Sequence, residues 1–388
     1  MTEAITAFTS ELDSARAGHE LGARIRAAFD GKAAHALIVF ASAQHRYHDL
    51  LCALADTCGT EVIVGSSSAG EFTESAQGVG GISVMAFRSD RMSFSVGLGR
   101  NISEDAATAA RDVAAMFTHD RAKALPYHAA LVMTDALAGN ADTVIEELTI
   151  ATGGNYKFFG GGAGDDGRFQ STHVFAGRVA AANAVVALQI RSVHPIGVGV
   201  SHGWVPGSAS LRVTEADGMK LISLNGAPAV EAFEEYAHSS GQSWNRDDPL
   251  PFFFNNIIGI KQADNYRLRV PLGVNEDGSV ACAAPVPSGS VVHIMKTTAR
   301  SATLAAEQAT RHALEGIQGQ KPAAAVVFDC VATRLRLGNE FATELQACAA
   351  MLDPVKFIGC NTYGQIARAE GQFGGFHNCT AVVCVFPD

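Results

Sequence analysis

Three stretches of this chain repeat one order of elements, and that repetition restricts the fold more than any other feature. The first runs HALIVFAS, EVIVGSSSAGEF, GISVMAF; the second AALVMTDA, KFFGGGAGDD, AVVALQI; the third AAAVVFDC, KFIGCNTYGQIA, AVVCVF. Each reads as an apolar strand, a helix, a second apolar strand, a Gly-rich turn and a closing strand. Short continuous apolar runs of this kind suit strands buried on both faces. The expected fold is α/β, with two domains of helix-flanked sheets built on recurring β-α-β-Gly turn-β units. The turns into the closing strands are short, so those strands are expected to run antiparallel to their neighbours.

Apolar spacing predicts an N-terminal helix over 1–31, followed by a first domain at 32–222 and a second at 223–388. Further helices are predicted at Tyr47–Cys58, Ala141–Ala151 and Ala302–Glu315, and Pro228 near the start of another is favourably placed. Leu268–Pro271, Val280–Ala283 and Val291–Met295 alternate with turn residues and read as an antiparallel sheet.

Composition narrows the function. The chain has 388 residues, 47% hydrophobic and 18% charged, which describes a packed globular protein. A net charge of -10 disfavours nucleic acid and anionic membranes as partners, because both select basic surface. No run of about 18 apolar residues is present and no basic-then-apolar leader opens the chain, so a cytoplasmic protein is expected. The eight cysteines include no CxxC pair and sit in apolar patterns, as reduced core thiols do. They supply no clustered zinc ligands.

The Gly turns are the first candidate site: Gly65, Ser66, Ser67 and Gly70; Gly161, Gly162 and Asp165; Cys360, Tyr363, Gly364 and Gln365. Backbone N–H groups in such turns can hold a carboxylate or phosphate, although glycine also serves simply to make the turn. No turn ends in GK[ST], and GSSSAG lacks the GxSxG spacing of a nucleophile elbow. His377 and Asn378, just before the last strand, offer an imidazole and an amide to a ligand. His202, beside Trp204, pairs an imidazole with a flat ring. The acids Asp165-Asp166 and Asp247-Asp248 read as solvated turns, and Arg334 and Arg336 are available to an anionic group. An enzyme of the hydrolase class would use Cys360 or Ser67, but no spaced triad accompanies either.

Read together and in order, VIVGSSSAGEF, FFGGGAGDD, VGVSHGWVPG, RLRVPLGVNEDGSV, IGCNTYGQIA and GFHNCTAVV resemble the FIST sensory family, with a FIST-N domain followed by a FIST-C domain. The likeness runs from about residue 32 to the end and includes no kinase, cyclase or methyl-accepting segment. It implies an intracellular sensor of a small ligand. Some stand-alone bacterial members bind haem b and sense nitric oxide, working with a histidine kinase or a cyclic-di-GMP enzyme. That implies His377 or His202 as iron ligand, with an amino acid or another small polar compound as the haem-free alternative. The family often carries Glu after the Tyr-Gly of the C-terminal turn. This chain has Gln365, which puts a salt bridge from that position to a ligand amine in doubt.

Overall fold

The computed structural model describes residues 1–118, 125–263, 265–369 and 375–388. The repeats fold into three units of one plan. The first comprises β1 (Thr2–Thr9), α1 (Ser14–Ala28), β2 (Ala36–Ser42), α2 (Tyr47–Cys58), β3 (Ile63–Ser68), a hairpin of β4 (Glu71–Thr73) and β5 (Gln77–Gly78), and β6 (Ile82–Ser89). The second comprises β7 (Met92–Arg100), α3 (Ala106–Ala115), β8 (Tyr127–Thr134), α4 (Ala141–Ala151), β9 (Lys157–Gly162), the hairpin β10 (Val174–Ala176) and β11 (Val179–Ala181), and β12 (Ala184–Ser192).

The third unit opens with β13 (Gly197–Ser201) and is then interrupted. An insert supplies β14 (Val205–Pro206), β15 (Leu211–Asp217), β16 (Lys220–Leu224), β17 (Ala227–Pro228), α5 (Ala229–Ser240), α6 (Leu250–Phe253), β18 (Asn256–Gln262), β19 (Asn265–Arg269), β20 (Pro271–Val274), β21 (Val280–Cys282) and β22 (Val291–Lys296). The unit resumes with α7 (Ala299–Gly316), β23 (Pro322–Cys330), α8 (Val331–Leu337), α9 (Phe341–Leu352), β24 (Lys356–Thr362), the hairpin β25 (Gln365–Arg368) and β26 (Gly375–His377), and β27 (Ala381–Pro387).

Within each unit the two repeat strands are parallel and the closing strand is antiparallel to the first of them, as the short turns predict. Each hairpin leaves its own unit and pairs with another. The β4–β5 hairpin adds to β24, β10–β11 adds to β3, and β25–β26 adds to β9. The exchange is cyclic, so each six-stranded sheet contains strands of two units. The inward faces share one core that includes Phe40, Met133, Phe159, Phe328, Ile358 and Phe386. Helices cover the outward faces over separate apolar clusters. The insert forms its own antiparallel sheet with α5 against it.

The predicted N-terminal helix needs correction. Thr2–Thr9 is a strand, paired with β6 from Thr2↔Ser89 to Thr9↔Ile82. Its Thr and Ile residues suit a pleated surface, and the helix begins only after Asp13, whose side chain accepts from the Arg16 N–H. The other three predicted helices form, α7 running a few residues longer at its N-terminal end than predicted.

Candidate functional site

The three Gly turns meet and close a ring of backbone hydrogen bonds. The Gly162 N–H donates to Gly364 O (2.9 Å) and the Tyr363 N–H to Gly162 O (2.9 Å), joining the second and third turns. The Gly164 N–H donates to Ser67 O (3.0 Å) and the Asp166 N–H to Ser68 O (3.0 Å), joining the second and first. The Ala69 N–H donates to Asn361 O (3.0 Å) and the Asn361 N–H to Gly70 O (2.8 Å), completing the circuit. These six N–H groups, those of the candidates Gly162 and Tyr363 among them, are spent within the ring.

Some side chains of the turns are committed as well, whereas Ser66 Oγ, Asp166 Oδ1 and Asn361 Nδ2 are buried without a hydrogen-bond partner among the described residues. Gln365 donates to Thr362 Oγ1 (2.9 Å) and accepts from the Thr380 N–H (3.2 Å). The equivalent Glu71 accepts from Ser68 Oγ and from the Gly81 N–H (3.1 Å). Asp165 accepts from the Tyr363 hydroxyl and from the N–H groups of Phe169 (2.8 Å), Gln170 (2.6 Å) and Ser171 (2.9 Å). Ser66, Gly65, Gly70, Gly161 and Cys360 are buried in the same ring. The ring therefore fastens the three units together.

A different constellation lies at the seam between the third unit and its insert. Ser201 ends β13, His202, Gly203 and Trp204 lead from it into the insert, and Thr297 stands at the insert's far end. Ala302 and Ala305 of α7, with Asp329, Thr333, Arg336, Glu344, Cys379 and Ala381, face them from the third unit. Between them is a cavity of about 10 Å³, room for a single water. The Asp329 and Glu344 carboxyls are buried against each other: burial pushes both above the usual range, and Glu344 pushes Asp329 up further, while Asp329 and Arg336 pull Glu344 the other way. Arg336 lies with its guanidinium carbon 5.7 Å from the Trp204 ring centre. Arg336 Nε and Glu344 Oε2 are buried without a hydrogen-bond partner among the described residues. Burial at a water-sized polar cavity leaves both open to a ligand that brings matching groups.

Profiles of two protein families cover this chain almost end to end. The FIST N domain matches residues 35–227 and the FIST C domain residues 229–368. The chain belongs to the FIST family. FIST domains are signal-transduction sensor domains that bind small ligands. No curated protein matches the chain. Among solved structures it is similar to cyanuric acid hydrolase from A. caulinodans at 9% identity and a TM-score of 0.32, covering 100% of this chain and 99% of that one. It is also similar to phosphoribosylformylglycinamidine synthase II from Thermotoga maritima at 12% identity and a TM-score of 0.21, covering 99% and 72%. At such scores neither likeness bears on fold or chemistry. The seam cavity is lined by residues of both FIST regions.

The surroundings of His202 do not fit a haem in this FIST protein. His202 Nδ1 accepts from the Trp204 N–H (3.3 Å), so Nε2 carries the proton and donates to Tyr266 O (3.2 Å). Both ring nitrogens are engaged, and the space beside the ring holds a water rather than a macrocycle. His377 is 1% exposed, its pKa pushed down to about 3 by burial and by Arg267 and Arg269. Its neighbour Asn378 accepts from the Val270 N–H (3.4 Å) and donates to the His377 carbonyl (3.3 Å). It tethers the insert to the last turn.

Neither suggested nucleophile is presented for chemistry. Ser67 Oγ donates to the His173 carbonyl (3.3 Å) and accepts from the His173 N–H (2.9 Å). Cys360 is fully buried, which raises its thiol well above the ordinary range. Arg334, the other candidate arginine, donates to Ala69 O and so secures the first turn. Among the described residues no helix is long and apolar enough to cross a membrane.

Asp329, Glu344 and Cys379 were not among the residues singled out from the sequence, although two of them carry a signal. Glu344 lies on the stripe Phe341, Leu345, Cys348 of α9, a charge on an apolar face. Asp329 is the one charged residue of the otherwise apolar β23, next to its last residue.

Proposed function

We propose that this FIST protein is a haem-free sensor of a small polar ligand of the amino-acid type, taken up at the seam between the third unit and its insert. One observation carries the reading: a guanidinium nitrogen and a carboxyl oxygen, both buried and unpartnered among the described residues, face one cavity. A ligand carboxylate matches Arg336, and a ligand ammonium matches the Glu344–Asp329 pair. The Trp204 face supports the ligand's stem.

The closed cavity of about 10 Å³ admits no amino acid, so binding selects a state in which the insert stands away from the third unit. That opening is the signal. It would be read by a partner, for which a histidine kinase or a cyclic-di-GMP enzyme is the expected class.

Isothermal titration and thermal unfolding with a panel of amino acids and small carboxylates test the reading. A zwitterion should bind and raise the melting temperature, with affinity reduced at least tenfold in both Arg336→Ala and Glu344→Gln, about 1.4 kcal/mol or more. Binding that survives both substitutions, or no binding across the panel, overturns it. Adding haemin to the same protein separates the haem version. A Soret band that moves with nitric oxide and is lost in His202→Ala or His377→Ala overturns the haem-free reading.

A further inference from the structure

Cys330 ends β23, and Cys379 stands two residues before β27. These strands pair antiparallel with Phe328 opposite Val382, a register that carries the turn before β27 past the end of β23. It brings together two cysteines 49 positions apart. Both belong to one packed cluster with Trp204 and Ala332, and both are buried. Cys379 has φ 50, in the left-handed region. It also lines the seam cavity beside Arg336, so a water-sized reagent in that cavity meets it directly.

We propose that Cys330 and Cys379 form a peroxide-reactive dithiol that closes to a disulfide at the wall of the seam cavity. The donors around Cys330, the Cys379 thiol foremost, push its thiol down to about 6, so much of it is thiolate at neutral pH. Cys379 stays a thiol, raised by its bond to Cys330 and by burial. The oxidant is hydrogen peroxide. The Cys330 sulfur attacks one peroxide oxygen, the O–O bond breaks, and hydroxide leaves and takes a proton to become water. Cys330 is then a sulfenic acid. The Cys379 sulfur, losing its proton, attacks the Cys330 sulfur, the S–O bond breaks, and a second water leaves. Two thiols have given two electrons and the peroxide has become two waters. Cys360, Cys384, Cys348 and Cys282 are raised by burial. The proposal does not depend on which ligand, if any, occupies the cavity.

The test uses the full chain in a Cys52→Ser background, which removes the one cysteine that is not buried. The protein is treated with stoichiometric hydrogen peroxide, alkylated after denaturation and mapped by mass spectrometry. The expected result is loss of two thiols, with one disulfide joining the peptides of Cys330 and Cys379. Cys379→Ser should stop at a Cys330 sulfenic acid that dimedone traps, and Cys330→Ser should slow thiol loss at least tenfold. Retention of every thiol, a disulfide mapped elsewhere, or unchanged kinetics in Cys330→Ser overturns the proposal. The wild-type peptide map decides it even if one variant fails to fold.

Discussion

At the scale of single residues, one position shows how a substitution that looks functional can be architectural. Gln365 stands where the family often carries Glu, and the equivalent position of the first unit does carry one, Glu71. Both reach back to the residue three before and to an N–H ahead of the closing strand. The amide can donate to Thr362 and accept from Thr380, so it satisfies both neighbours without charge. Glu71 is 1% exposed, and burial pushes it up to about 8. The unfolded chain releases that proton near 4.5. Between those values the folded state holds more protons, so Glu71 makes stability fall as pH rises, with no further loss above about 8. Glu71→Gln should copy the Gln365 arrangement. Urea unfolding should show little difference at pH 5 and a variant more stable at pH 8, by an amount on the order of a few kcal/mol. An equal difference at both pH values would contradict this account of Glu71.

At the scale of elements, the repeated strands and turns were legible because each is a local matter. Tyr47–Cys58 and Ala141–Ala151 form as their apolar spacing predicts. The glycines are explained differently from the expectation. Gly65, Gly160 and Gly359 sit at equivalent places, each against a carbonyl of the neighbouring parallel strand. A Cβ at Gly160 would lie 1.9 Å from Val132 O, a backbone atom that cannot step aside, and Gly160 has φ +146. The glycine is there for strand spacing, not for a ligand. Gly160→Ala should cost on the order of 3 kcal/mol or more by thermal unfolding. Gly273→Ala, with nothing within 4 Å, is the neutral control. Equal melting temperatures would refute the close-approach argument. The N-terminal strand was not legible, because eight residues with a helix behind them continue the helical spacing, and only pairing with β6 across 80 positions settles their state. The same limit hid the Cys330–Cys379 pair and the joining of Asp329 to Glu344. Each depends on register or on a helix returning over a sheet.

At the scale of the molecule, three units close on themselves through exchanged hairpins, and the insert must be held against that ring. The family boundary at 227–229 falls inside the insert, so FIST N and FIST C each contain part of it. One side chain does much of the holding. Arg269, in β19, is 1% exposed. It donates to Pro285 O (2.9 Å) and Leu268 O (3.0 Å) within the insert, to Phe376 O (3.2 Å) of the third unit, and to Asp142 (2.8 Å) of α4 in the second. Asp142 also accepts from the Phe376 N–H (3.2 Å), so insert, second unit and third unit meet at one ion pair. Removing Arg269 leaves the Pro285 and Phe376 carbonyls without this donor, while Asp142, partly exposed, keeps Arg267 at 3.8 Å, a cost on the order of 1–3 kcal/mol. Arg269→Ala should therefore lower the unfolding midpoint and loosen the insert before the ring. Limited proteolysis would register this as early cuts within 204–296 while the three-unit body stays intact. If the insert instead moves off the third unit to admit a ligand, the same substitution should ease that opening. It should then raise ligand affinity at the seam in the same protein that it destabilises, because the closed state is the one Arg269 supports. A variant digested like the wild type, with unchanged midpoint, would show that the insert is held by its apolar contacts alone.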